Sequence, residues 1–140
     1  MQNIIVLIPS NVLFWKYDFE IKKLYELNQK KITDTNTYQF VRDNTLFYAF
    51  FIGEKLIGFI YYFVDEEGKL FLNGCSYRKM YPINITCLKM SLSWFNCDIY
   101  AEAQNRASAF CLLKAGFVKN GSGNVYRFFK DNKQGQDVKF

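Results

Sequence analysis

The sequence contains no histidine. That absence removes histidine-bound metals, every imidazole-based catalytic triad and the usual proton shuttle of neutral pH. Four cysteines are present, Cys75, Cys87, Cys97 and Cys111, and no two lie close enough for a CxxC pair. Zinc-ribbon and dithiol redox sites are therefore excluded, and the thiols are expected to be reduced core residues of a cytoplasmic protein. No run of five like charges, no repeat, no low-complexity tract and no linker interrupts the chain. One domain over residues 1–130, followed by a polar tail over 131–140, is the expected organisation. The apolar run Ile4-Ile-Val-Leu-Ile8 has no preceding cation and is broken by Pro9-Ser10-Asn11. It reads as a buried strand rather than a signal segment, and no membrane association is expected.

What is present suits a packed core. Half of the 140 residues are apolar and 19% are aromatic. Eighteen basic residues against thirteen acidic give a net charge of +5, so the surface attracts anions such as phosphorylated cofactors, acidic partners or nucleic acid. A general cationic surface explains the balance equally well. Nucleic acid is the least favoured partner, because no RNP-like, KH-like or helix-turn-helix signature accompanies the charge.

Periodicity places the elements. Asn3–Ile8 reads as a strand covered on both faces. From about Asp18, a potential cap, to Lys30, the residues Ile21, Leu24, Tyr25 and Asn28 fall on one helical face. A loop follows, then a brief helix at Tyr38-Gln-Phe-Val-Arg42. Leu46–Ile52, Leu56–Val64 and a run from Lys69 to Gly74 or Cys75 are strands at hairpin spacing, an antiparallel meander. Pro82 opens a helix to about Phe95, with Ile83, Cys87, Met90 and Trp94 on its apolar face. The strand from Asp98 to Glu102 then returns parallel to the meander.

The segment Asn105-Arg-Ala-Ser-Ala-Phe-Cys-Leu-Leu-Lys-Ala-Gly116-Phe117 carries its own start and stop signals. Asn105 can cap the first turn, Gly116 can end the last, and Ala107, Phe110, Cys111 and Leu113 give an apolar stripe. A Gly121-Ser-Gly-Asn124 turn then leads into Val125–Phe129, closing a terminal hairpin.

Strand, Asn, helix, Gly-Phe, strand resembles the C-terminal half of the GNAT-type N-acetyltransferase superfamily, and the element order is similar over essentially the whole chain. The resemblance implies an α/β (α+β) fold, a mixed, mostly antiparallel sheet of about six to seven strands flanked by about four helices, with a central splayed parallel strand pair. It implies an acetyl-CoA-dependent transferase acting on a small-molecule or protein amine. The acyl donor would lie where the strand ending at Asn73-Gly74-Cys75 parts from Asp98–Glu102, with Gly74 and Cys75 offering backbone groups to it and Asn105 facing the pantetheine arm. Backbone N–H near Gly74 would meet the oxyanion.

Two departures from the family pattern stand out. The pyrophosphate loop, normally Arg/Gln-x-x-Gly-x-Gly/Ala, aligns here with Arg78-Lys-Met-Tyr-Pro-Ile83, so Tyr81 and Ile83 replace the glycines. Arg78 and Lys79 remain, either as phosphate ligands or as a solvated cationic face. The tyrosine that commonly protonates the departing thiolate aligns with Leu112. Cys111, Tyr77 or Tyr81 stands in for it, or no acid is used, and Cys111 is otherwise a core residue. Glu102 is the candidate base, with Tyr100 on the same strand face, or else an ordinary surface carboxylate.

Two functions follow. One is the acetyltransferase. The other is a catalytically inactive GNAT-fold binding or structural protein, such as a bacteriophage component, consistent with the Lys/Asn/Ile-rich composition. In that second case Tyr38, Phe40, Tyr48, Tyr61 and Tyr62 would form a protein interface instead of filling the core.

Overall fold

In a computed structural model, residues 3–29 and 35–130 are described. The expected polar tail over 131–140, the end of the first helix at Lys30 and much of the loop after it lie outside them. Among the described residues seven strands form one sheet: β1 (Ile4–Leu7), β2 (Leu46–Ile52), β3 (Lys55–Val64), β4 (Leu70–Ser76), β5 (Ile99–Glu102), β6 (Val118–Lys119) and β7 (Val125–Phe128). Their order is β1-β2-β3-β4-β5-β7-β6. Every neighbouring pair is antiparallel except β4 with β5. Among the described residues four helices flank it: α1 (Asp18–Asn28), α2 (Tyr38–Asn44), α3 (Ile83–Leu92) and α4 (Arg106–Lys114).

Both faces of the central strands are covered, as their unbroken apolar runs require. On one face α1, α2 and the 3-10 turn Val12–Lys16 bury Phe14, Ile21, Leu24, Tyr38, Phe47 and Tyr61. On the other, α3 and α4 cover Phe50, Ile60, Tyr62, Leu72 and Ile99. The alternation along β3 skips once. Phe50 pairs with Gly58 but Phe51 with Leu56, so Ile57 is an extra residue, a β-bulge. Bulges bend the strand that carries them, and this one lies opposite the end of β4, where Gly58 pairs with Ser76.

Several expectations change in detail. Asp18 does not cap α1. Tyr17 is the flanking residue, and the Asp18 carboxylate instead accepts from Tyr38 Oη at 2.7 Å and from Arg42 Nη1 at 3.1 Å, tying α1 to α2. The buried face of α3 is Ile85, Cys87, Leu88, Ser91 and Leu92, rotated from the expected stripe, and Trp94 lies beyond the helix with its ring over Tyr48. On α4, Leu112 is the buried residue, whereas Phe110 and Leu113 are half exposed. Both helices are apolar on more than one side, so spacing alone does not select the core face. The interface reading of the aromatics is corrected for Tyr38, Tyr61 and Tyr62, which are buried; Phe40 is exposed. Buried Ser91 is satisfied, since its hydroxyl donates to Leu88 C=O at 2.9 Å and lies 2.7 Å from Tyr62 Oη.

Asp98 joins the start of β5 to the end of β7. Burial alone would raise its carboxyl, but the Lys130 N–H at 2.9 Å and the Arg127 guanidinium hold it below the ordinary carboxylate range. A carboxyl whose folded pKa is depressed stabilises the fold above its unfolded value of about 4 and loses that contribution as pH falls through the folded one. Urea unfolding of Asp98→Asn is therefore expected to show lower stability than the parent at pH 7, the gap closing below about pH 4. An equal gap at both pH values would show that the contribution of Asp98 does not come from its charge.

Candidate active site

The parallel pair sets the site. β4 and β5 are in register through Leu70↔Ile99, Phe71↔Tyr100 and Leu72↔Ala101, and there the pairing stops. β4 runs on to Ser76 beside β3, while β5 ends at Glu102 beside β7. Past Leu72 the facing backbone edges have no sheet partner, and such groups require other partners. A cleft of about 590 Å³ opens between them.

Seven of the eight expected site residues line it: Gly74, Cys75, Tyr77, Arg78, Glu102, Asn105 and Cys111. Lys79 does not. Its ammonium lies 5.6 Å from the Tyr77 ring centroid instead. The chain crosses from β4 to α3 through a 3-10 turn at Arg78–Met80 and a cis Tyr81–Pro82 peptide. Arg78 is exposed and makes no ion pair among the described residues. Pro82 C=O accepts from Ile85 N–H, so the N–H groups of Ile83 and Asn84 begin the helix with no intrahelical acceptor. That end of α3 favours negative charge.

The individual groups differ in what they can do. Gly74 N–H, expected to be open, donates to Asn73 Oδ1 at 2.9 Å. The Cys75 thiol approaches Leu24 C=O at 3.9 Å, and burial pushes its pKa up. Burial also raises Tyr77, and the neighbouring Glu20 adds to the shift. Cys111 is raised by burial as well, against the opposing Asn84 Nδ2 at 4.0 Å. All three groups are thus weaker acids than an ordinary thiol or phenol. Glu102 is exposed, with Gln104 Nε2 at 3.4 Å from Oε1. Asn105 Oδ1 accepts from Ser108 N–H at 2.9 Å, and Ser108 Oγ accepts from Asn105 N–H at 3.1 Å, a complete capping box. Leu112 is buried and also lines the cleft, so the position of the missing tyrosine presents an apolar side chain there.

Two asparagines were not anticipated from the sequence. Asn84, in the first turn of α3, donates to Ser76 Oγ at 2.9 Å, while its Oδ1 is buried without a hydrogen-bond partner among the described residues. A buried acceptor of this kind calls for a donor. Asn73 is the other. Asparagines in strand and helix patterns carry no periodic signal, and only their position at the cleft marks them. No group of metal-ligating side chains and no helix long and apolar enough to cross a membrane occurs among the described residues.

No protein-family model and no curated protein matches the sequence. Solved structures do. An N-acetyltransferase from Staphylococcus aureus Mu50 is 13% identical, with 94% of this chain and 99% of that one aligned at a TM-score of 0.68. Spermidine N-acetyltransferase from Vibrio cholerae, in complex with CoA and spermine, is 11% identical over 91% of this chain and 96% of its own, at a TM-score of 0.64. With a proposed acetyltransferase from T. thermophilus, 18% identical at a TM-score of 0.54, the match spans 66% of this chain and 62% of that one. At such identities the likeness is one of fold.

Proposed function

We propose that this chain, which has the fold of GNAT-family acetyltransferases, is an acetyl-CoA-dependent N-acyltransferase whose donor lies in the β4–β5 cleft. The observation that carries the reading is the separation of the one parallel strand pair beyond Leu72 and Ala101, with the expected residues gathered around the opening. The residues fit an extended amide-containing ligand. Unpaired strand edges offer N–H and C=O groups, and Asn84 Oδ1 lacks a donor. Arg78 and the start of α3 offer positive charge without the glycines, through a side chain in place of a backbone cradle.

When bound, the donor supplies an activated thioester. The chain's part is to hold an amine beside it and manage protons. Glu102, exposed at the end of β5 and lining the cleft, is the base of this reading, taking the amine proton directly or through water. Neither Cys111 nor Tyr77 is a favourable acid for a thiolate of pKa about 8.5, since both are held above their ordinary values. That leaves Tyr81, which also lines the cleft, or solvent to protonate the leaving thiolate.

Calorimetric titration with acetyl-CoA tests the reading. Arg78→Glu is expected to weaken binding about tenfold, roughly 1.4 kcal/mol. Asn105 needs care, because Asn105→Ala also removes a helix cap at a cost of about 1 kcal/mol. Asn105→Ser keeps a capping oxygen, so weakened binding by both variants, with the melting temperature lowered only by alanine, separates ligand contact from capping. No heat with the parent protein at millimolar acetyl-CoA would overturn the assignment. A second reading, an inactive protein that binds CoA, is favoured by one observation, the engagement of Gly74 N–H by Asn73. Binding without turnover across a panel of amines would select it.

A further inference from the structure

We propose that Asn73 is a catalytic residue of this cleft, its side-chain amide serving as the oxyanion donor that the Gly74 backbone does not provide. The inference rests on the acyltransferase reading above. Asn73 is the first residue of β4 beyond the last pair with β5, and it lines the cleft at the point of separation. Its Oδ1 is fixed by Gly74 N–H at 2.9 Å. An amide whose oxygen is held has a determined orientation, because its oxygen and nitrogen lie on opposite sides of one planar group. Nδ2 has no acceptor among the described residues, and two N–H donors are left for a ligand. The single hydrogen bond thus withdraws a backbone donor and presents a side-chain donor in the same opening.

Leu24, Leu27 and Asn28 of α1 bound the cleft as well, so the space beside Asn73 is shared by strand and helix. As an amine nitrogen bonds to the thioester carbon, the C=O electron pair moves onto oxygen, where an Nδ2–H meets it. The pair returns as the C–S bond breaks, the thiolate carries that bond's electrons away, and the proton of the amine passes to the base. A donor aimed at the developing oxyanion contributes about 10²–10³ in rate where it has been removed in other enzymes. Gly74 itself answers to the neighbouring strand: a Cβ there would meet β3 at the Phe59 carbonyl oxygen and lie 3.0 Å from Ile60 Cα.

The test needs neither the acceptor amine nor turnover. Acetyl-CoA carrying ¹³C in its thioester carbonyl is bound to the protein and its carbonyl stretch is read by isotope-edited infrared difference spectroscopy. In the parent protein the band is expected at lower frequency than in Asn73→Asp, whose carboxylate still accepts from Gly74 N–H but has no donor to give. In Asn73→Ala the band is expected to stay lowered in part, because Gly74 N–H is released and takes over. Calorimetry and thermal melts on the same samples establish that each variant is folded and saturated. A band unchanged between the parent and Asn73→Asp, with acetyl-CoA bound to both, overturns the role of Asn73 alone. Failure of the parent protein to bind acetyl-CoA overturns the acyltransferase reading and this inference together.

Discussion

Phe47→Ala is expected to lower the stability by about 3–5 kcal/mol, the range for truncating a buried aromatic side chain. The ring is buried at the centre of the sheet face covered by α1 and α2. It stacks on Phe59 at 5.2 Å and Tyr61 at 6.0 Å, and meets the edges of Phe14 at 6.1 Å and Tyr38 at 5.9 Å. Those partners come from the 3-10 turn, α2 and β3, so one deletion loosens three elements. Surrounding rings are rigid and fill a void poorly, which places the cost at the upper end of the range. Domains of this size are stable by about 5–15 kcal/mol, so a third or more of the total is at stake. Urea denaturation measures it, with Phe40→Ala as the exposed control, expected within about 0.5 kcal/mol of the parent. A loss below about 1 kcal/mol for Phe47→Ala would mean that the layer is looser than its contacts imply.

Gly58→Ala is the second large effect. A Cβ built at Gly58 would press on the Cys75 carbonyl oxygen and approach Ser76 Cα and Cβ at 2.7 Å each. The obstructing atoms are mostly backbone of the neighbouring strand, so no rotamer change relieves them. Overpacking costs about 1–3 kcal/mol even where side chains can yield; here the strands must part, and about 3 kcal/mol is expected. Gly58 also lines the cleft and sits beside the Ile57 bulge. The same methyl should therefore weaken acetyl-CoA binding, a coupling that Phe47→Ala lacks. Denaturation and titration on one preparation compare the two. Full stability with the cleft intact would show that β3 and β4 approach less closely than described.

Why some of this was legible in the sequence and some was not follows from which residues were redundant. The strands from Leu46 to Val64 are continuous apolar runs, and their existence and antiparallel order were readable from the short polar turns between them. The bulge within them was not. With both faces buried, an extra apolar residue such as Ile57 produces no break in pattern. Asn105 and Gly116 were recognisable because capping chemistry is specific: Asn105 heads a capping box, and Gly116 takes a φ of 108° just past the helix. Asp18 misled for the same reason: a residue suited to a cap was recruited by Tyr38 and Arg42, partners distant in sequence. Gly74 lines the cleft, but its N–H is spoken for by the side chain one position earlier. That contact depends on rotamer and twist, which sequence pattern does not encode.

The two tryptophans fall one to each side of the sheet. Trp15 lies on the α1–α2 side, its ring against Phe14 and beneath the Arg42 guanidinium at 4.5 Å. Trp94 lies on the α3 side, parallel to Phe50 at 6.1 Å and against Tyr48. Each layer thus carries its own fluorophore. With Trp15 or Trp94 changed to phenylalanine, emission from the remaining indole follows one layer alone, and superimposable melting curves from the pair would demonstrate that both sides of the sheet come apart in a single cooperative event.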